Sequence, residues 1–368
     1  MTRQVKTQRG LDNIEPYVPG KPIEEVQREY GLTDVIKLAS NENPLGSSPR
    51  AVAAIERALS GLNLYPDGQS YHLRHALAER LGVAPEQVTV GNGADGIIMR
   101  TCMAYLDEGS EVIVSRSSFP VYDQFTHAMR GTLVKTPLKN YCLDLEAMAQ
   151  AIGDKTRLIF VCNPNNPTGT VVTAAQVDAF MARIPDHVLV AFDEAYYEFV
   201  DFDEYPDTLQ YIREGRPNVM TIRTLSKSYG LAGVRVGYAI ASPEILAPLD
   251  RVKEPFAVNL LAQVAGIAAL EDDEFLNRSV AANRAGKRFL YGEFDRLGLR
   301  YVESQGNFVL VEIGPQAVDV QKRLLGRGVI VRPCAHYDLP DFLRISVGSQ
   351  AQNVRLIEAL KEEVAANG

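Results

Sequence analysis

Short, unbroken apolar runs alternate along this chain with longer stretches in which apolar residues recur every three or four positions. The runs at 88–90, 111–114, 157–161, 188–192, 219–222 and 236–240 read as buried strands. Segments such as 96–106 and 174–184 carry helical spacing between them. This alternation predicts an α/β fold with a mainly parallel sheet covered by helices, over roughly residues 47–254. The last third changes character. A long charged helical pattern spans 271–297, short strands follow at 307–312 and 342–347, and a final helix lies near 353–366, which predicts a smaller α+β domain. The stretch up to about residue 45 is rich in Pro and Gly and is not expected to fold alone. The expected division is an arm at 1–46 joining the small domain, a large domain at 47–260 and a small domain at 261–368.

Composition narrows the function classes. The 368 residues are 46% hydrophobic and 23% charged, so a sizeable core can be buried. The formal net charge is -8 with no basic block, which disfavours nucleic acid as a partner. Local cations and backbone N–H groups can still bind an anion in such a protein. The first 20 residues show no apolar signal core, and the stretch 256–270, broken by Asn259 and Gln263, is too short to span a bilayer. Cys102, Cys142, Cys162 and Cys334 lie far apart with no His at ligand spacing. They read as reduced thiols of a cytoplasmic protein without a metal site.

In open α/β sheets, ligands bind just beyond the carboxyl ends of the strands. Gly91-Asn92-Gly93-Ala94-Asp95-Gly96 follows the run at 88–90 and opens a helix. Asn163-Pro164-Asn165-Asn166-Pro167-Thr168-Gly169 follows 157–161. Asp193 and Tyr196 follow 188–192, Ser226 and Lys227 follow 219–222, and Arg235 begins the next strand. Each has a plain reading when taken singly: turns for the two loops, a cap for Asp193, a solvated amine for Lys227, an ion-pair partner for Arg235. Together they meet the needs of pyridoxal phosphate chemistry. An amine that loses its proton near neutral pH must join the cofactor aldehyde. A carboxylate must keep the pyridine nitrogen protonated so that the ring acts as an electron sink. An amide and a phenol beside the ring oxygen would stabilise its anion. The phosphate dianion needs a helix N-terminus and a cation. The freed lysine could then carry the proton between substrate and cofactor carbons.

At these residues the chain resembles the fold-type I pyridoxal-phosphate aminotransferases, and within them the histidinol-phosphate aminotransferases. The resemblance runs from Tyr17-Val18-Pro19-Gly20-Lys21-Pro22 to Leu343-Arg344-Ile345-Ser346-Val347-Gly348. Its most specific piece is Thr224-Leu225-Ser226-Lys227-Ser228-Tyr229-Gly230-Leu231-Ala232-Gly233-Val234-Arg235-Val236-Gly237. Leu38-Ala39-Ser40-Asn41-Glu42-Asn43-Pro44, Tyr65-Pro66-Asp67-Gly68 and Asp193-Glu194-Ala195-Tyr196 are also similar to that family. The resemblance implies that Lys227 is the Schiff-base lysine and that Asp193 pairs with the pyridine nitrogen. It implies that Asn166 and Tyr196 contact the ring oxygen and that Phe119 stacks on the ring. Gly93, Ala94, Asp95, Ser226 and Arg235 would hold the phosphate. Tyr65 would reach the cofactor of the other subunit in a homodimer. Arg344 would bind the substrate anion, helped by Arg332, Asn307 and Tyr17. The implied reaction is transamination between histidinol phosphate and 2-oxoglutarate in histidine biosynthesis.

Some positions depart from the family pattern. Gly96 stands where an acidic residue is expected, Ser117-Ser118-Phe119 replaces Pro-Thr-Phe, and Cys334-Ala335-His336 replaces small or apolar residues after Arg332-Pro333. These bear on the substrate more than on the reaction class. Two alternatives keep the cofactor: transamination of aromatic amino acids or prephenate, and decarboxylation of a phosphorylated amino acid. A regulator's effector-binding domain is a third alternative, but residues 1–45 offer no basic helix-turn-helix pattern.

Overall fold

The computed structural model describes residues 5–16 and 20–365. Its main strands, in chain order, are β1 (Ile36–Leu38), β2 (Val88–Asn92), β3 (Glu111–Ser115), β4 (Thr132–Thr136), β5 (Thr156–Cys162) and β6 (Leu189–Asp193). They continue with β7 (Val219–Thr224), β8 (Val236–Ala241), β9 (Tyr301–Val302), β10 (Phe308–Glu312), β11 (Val329–Pro333) and β12 (Phe342–Ser346). Seven of them form one sheet in the order β2-β8-β7-β6-β5-β3-β4. All pairings from β7 through to β4 are parallel. Strand β8 runs antiparallel to both β2 and β7. All six apolar runs appear as strands of this sheet. Strand β4 carried no such signal. It is an edge strand with Lys135 and Thr132 facing out, so it needs no continuous apolar run.

Both faces of this sheet are covered. Along β5, Ile159 and Val161 belong to the core on one side, and Leu158, Phe160 and Cys162 to the core on the other. Burial on both faces is why its strands read as unbroken apolar runs rather than alternating ones. Helix Gly93–Tyr105 lies directly on β8, because Gly237 has no side chain there: a Cβ would stand 2.4 Å from the Ala94 nitrogen.

The second sheet has the order β1-β11-β12-β10-β9, with β1 parallel to β11 and the rest antiparallel. Helices Asp273–Arg296 and Gln350–Ala365 pack on it through Leu290, Phe294, Leu356 and Leu360. The N-terminal arm thus contributes β1 to the C-terminal sheet. Helix Leu260–Leu270 packs on helices Pro49–Ala58 and Tyr71–Leu81. Gly266 lets Leu73 approach closely: a Cβ there would stand 2.9 Å from Leu73 Cδ1. The two bodies meet beside the sheet edge. There Gln305 N–H donates to the Gly169 carbonyl at 2.7 Å, and Asn307 Nδ2 donates to the Asn41 carbonyl at 3.0 Å.

Candidate active site

The carboxyl ends of β2, β5, β6 and β7 lie along one edge, and the reversed β8 begins at that same edge with Arg235 just before it. A cavity of about 410 Å³ opens there. Its lining includes Lys227, Asp193, Asn166, Tyr196, Phe119 and Arg235. Lys227 Nζ donates to the Ser40 carbonyl at 3.4 Å. Burial, and then the nearby Arg344 guanidinium, push the Lys227 amine down to about 8. A near-neutral amine of this kind can act as a nucleophile and then as a base.

Asp193 ends β6 and is 3% exposed. Burial pushes its carboxyl up to about 6, against hydrogen bonds from Tyr122 and the Ala195 N–H that favour the charged form. The Tyr122 hydroxyl donates to Asp193 Oδ2 at 2.6 Å, and the Tyr122 ring stacks on Phe160 at 4.4 Å. A buried carboxylate short of positive charge is suited to a cationic ring nitrogen. Tyr122 carried no signal of its own. It lies three residues after Phe119, and their rings meet edge-on at 5.7 Å.

One end of the cavity has a cradle built from backbone. Asn92 precedes helix Gly93–Tyr105 without capping it by a side chain. Its first amides are then served by whatever sits at the cavity. Gly93 has φ +72°, and a Cβ there would stand 2.5 Å from Arg235 Nη2, so Arg235 can lie flat over the loop. Arg235 itself has φ +62°, a conformation that side-chain-bearing residues rarely adopt. Its Nη2 meets Asp95 Oδ2 at 3.1 Å. Ser226 is buried beside it, with its N–H bonded to Thr224 Oγ1. These residues fit pyridoxal phosphate: a dianion cradle, an aromatic face, a carboxylate and a depressed amine border one cavity. Among the described residues, no group of three or more His, Cys, Asp or Glu is placed to hold a metal ion.

At the opposite side, Arg344 Nη1 donates to Asn166 Oδ1 at 2.5 Å and Nη2 to the Ala39 carbonyl at 2.7 Å. Asn41 Nδ2 donates to the Tyr196 hydroxyl at 3.0 Å. Asn41 and Tyr337 both line the cavity, and the sequence reading assigned neither. Asn41 lay inside a family-like segment, whereas Tyr337 gave no signal. Three expected residues lie elsewhere. Arg332 faces a neighbouring cavity. Asn307 holds the Asn41 backbone instead of lining the cavity. Tyr65 is 82% exposed and stacks on Phe256 at 4.5 Å, away from this chain's own site. Tyr17 lies outside the described residues.

Behind the site, Arg223 and Glu194 form a buried ion pair at 2.8 Å, with the guanidinium 3.6 Å over the Tyr197 ring. Thr208 donates to the second Glu194 oxygen at 2.6 Å. This pair anchors the turn that carries Asp193 and Tyr196.

The family profile of class I and II aminotransferases matches residues 33–360. The chain belongs to this family. Among its relatives, this aminotransferase is 50% identical over 360 residues to the histidinol-phosphate aminotransferase of Moorella thermoacetica, covering 98% of the chain and 93% of the relative. It is 47% identical over 352 residues to that of Brevibacillus brevis, covering 96% of each. Its structure is similar to that of the Sinorhizobium meliloti histidinol-phosphate aminotransferase in complex with pyridoxal-5'-phosphate. There the TM-score is 0.91 and the identity 28%, with both chains fully covered. The aspartate aminotransferase of Thermotoga maritima is also similar, with a TM-score of 0.87 at 26% identity, covering 98% of this chain and 100% of that one. No helix among the described residues of this aminotransferase is long and apolar enough to cross a membrane.

Proposed function

We propose that this pyridoxal-phosphate aminotransferase interconverts imidazole acetol phosphate plus glutamate with histidinol phosphate plus 2-oxoglutarate, in the cytoplasm, as a step of histidine biosynthesis. One observation carries the substrate reading. Arg332 on β11 and Arg344 on β12 stand at facing register positions and both are buried, Arg344 lining the cavity that holds Lys227 and Arg332 the neighbouring one. Two adjacent buried guanidinium groups suit a dianionic phosphate far better than a neutral aromatic ring. The names carried by relatives at 44–50% identity point the same way.

The bound cofactor supplies an aldehyde and an electron-withdrawing ring. The chain does the rest. Asp193, held by the Tyr122 hydroxyl, would pair with the ring nitrogen. Gly93, Ala94, Asp95, Ser226 and Arg235 would take the phosphate, Phe119 would cover the ring, and Asn166 and Tyr196 would meet the ring oxygen. Arg344 binds the substrate anion in both half-reactions. Lys227 Nζ takes the proton from the substrate Cα and returns it to the acceptor carbon, which a depressed amine can do.

Subunit pairing completes the site. Tyr65 with Leu62, Leu64 and Tyr71 exposes an apolar surface, with Phe256 stacked beneath the Tyr65 ring. We read this surface as the homodimer face, which sends Tyr65 to the partner subunit's cofactor phosphate.

The test is a half-reaction screen. Holoenzyme is mixed in turn with histidinol phosphate, phenylalanine, tyrosine and aspartate, and loss of the cofactor's visible absorbance is timed. Histidinol phosphate is expected to react fastest, and Lys227→Ala to fold but not transaminate. Faster reaction with an aromatic donor would overturn the substrate, and near-native turnover by Lys227→Ala would overturn the lysine assignment.

A further inference from the structure

Asn41 lines the catalytic cavity, yet the residues that fix it come from the second body. It lies three residues past β1 and is 1% exposed. Its φ of +54° falls in the left-handed region, which asparagine enters more readily than most residues that carry a side chain. Its backbone N–H donates to Ser346 Oγ on β12 at 2.8 Å, and its carbonyl accepts from Asn307 Nδ2, just before β10, at 3.0 Å. The Ser346 hydroxyl gives its own proton to Asn41 Oδ1 at 2.8 Å. That bond leaves Nδ2 as the end of the amide that faces Tyr196, whose hydroxyl oxygen accepts from it at 3.0 Å. The Tyr196 ring is held as well, edge-on to Phe308 at 5.1 Å.

We propose that Asn41 is a positioning residue: by donating into the Tyr196 oxygen it turns the Tyr196 proton toward the cofactor's ring oxygen, and so lowers the pH at which the bound cofactor changes its visible absorbance. This rests on the reading that places Tyr196 beside that oxygen. A phenol has one proton to give, and its oxygen can accept at the same time. With Asn41 donating into the oxygen, the Tyr196 proton is kept for the cavity that both residues line. Burial pushes the Tyr196 phenol up, so it stays a donor, although Arg344 and the Asn41 bond act the other way. Cys162 and Tyr337 also face this phenol, and Lys227 Nζ stands 5.9 Å over its ring. The charges around Lys227 are Arg344, Asp95, Glu42 and Arg235. Asn41 adds no charge to that set, so its influence runs through the direction of one proton. A proton donated to the ring oxygen makes that oxygen a weaker base, and the lysine–cofactor linkage beside it then gives up its own proton at lower pH.

The experiment titrates the visible absorbance of the holoenzyme against pH, without substrate, for wild type, Asn41→Gly and Asn41→Asp, each with and without Tyr196→Phe. Asn41→Gly removes the amide at a backbone angle that glycine tolerates. Asn41→Asp keeps the shape but offers an acceptor where Nδ2 now donates. Both are expected to raise the midpoint by about one pH unit, the scale of one hydrogen bond to a charged group, and Tyr196→Phe alone should raise it likewise. Once Tyr196→Phe is present, Asn41→Gly is expected to add nothing, and Asn41→Asp only the small effect of its charge. A rise in either variant that shrinks when Tyr196→Phe is present sustains the proposal. No rise in either, or rises of the same size in both backgrounds, overturns it. If Tyr196→Phe by itself leaves the midpoint unchanged, the placement of Tyr196 at the ring oxygen falls, and the proposal with it.

Discussion

Replacing Asp193 by Asn should make the cofactor-free enzyme more stable while ruining it as a catalyst. In the fold the carboxyl is buried at 3% exposure, and its pKa is raised from 3.8 to about 6. A gap of about two pH units corresponds to about 3 kcal/mol at 1.36 kcal/mol per unit. The sign follows from proton binding. The folded state holds this proton more tightly than the unfolded one, so wild-type stability is intact below pH 3.8 and is lost as pH rises through about 6. About half of that loss, roughly 1.5 kcal/mol, is already present at pH 5. Asn keeps the shape without the charge. Its oxygen can accept from the Ala195 N–H and its amide can donate to the Tyr122 oxygen, so neither buried partner is orphaned. Urea denaturation of the cofactor-free proteins at pH 5 and pH 8 measures the difference. The Asn variant is expected to lead at both, by about 1.5 and about 3 kcal/mol. Added pyridoxal phosphate should then stabilise wild type more than the variant, because a protonated ring nitrogen needs the carboxylate. A variant less stable than wild type at pH 8, or a gap that does not widen with pH, would refute the electrostatic account of this residue.

Other perturbations test other parts of the site. Gly93→Ala puts a Cβ where Arg235 Nη2 now lies and forces a side chain to φ +72°, so it should cost about 1 to 2 kcal/mol of stability and raise the cofactor Kd tenfold or more; wild-type cofactor affinity would show that Arg235 does not sit over the phosphate. Glu194→Gln removes the carboxylate paired with the 4%-exposed Arg223 guanidinium and should cost about 3 kcal/mol in urea denaturation; a loss under about 1 kcal/mol would mean that the nearby Glu198 and the Tyr197 ring suffice. Sedimentation should find a dimer, and Tyr65→Phe should weaken cofactor binding in it without dissociating it; an unaltered Kd would remove Tyr65 from the partner's site.

Much of the first sheet could be read directly because it is buried on both faces. A strand covered on both sides must be apolar throughout, so its position and limits show in the residue pattern. The residues after each strand could be read for the same reason, since strand order in a doubly covered sheet brings the loops to one edge. That is how the pattern gathers Lys227, Asp193 and Asn166 at one edge. The second sheet was harder. Strand β1 is three residues long and pairs with β11 nearly 300 positions away, and β11 carries Arg332 and ends in a proline. Nothing local marks such a pairing.

What the sequence determined by itself was therefore the chemistry available and the edge at which it collects, because both follow from short-range pattern. Tertiary structure alone decided the environment of each group. Whether the Lys227 amine loses its proton near neutrality depends on burial and on Arg344, which arrives from a strand of the other sheet. Whether Arg235 lies at the cavity depends on β8 running against its neighbours, a choice of direction that an apolar run does not encode. Tyr122 reaches Asp193, and His336 reaches Arg332, across distances set by packing. Desolvation and charge–charge energies depend on distance in space, and separation along the chain says nothing about it.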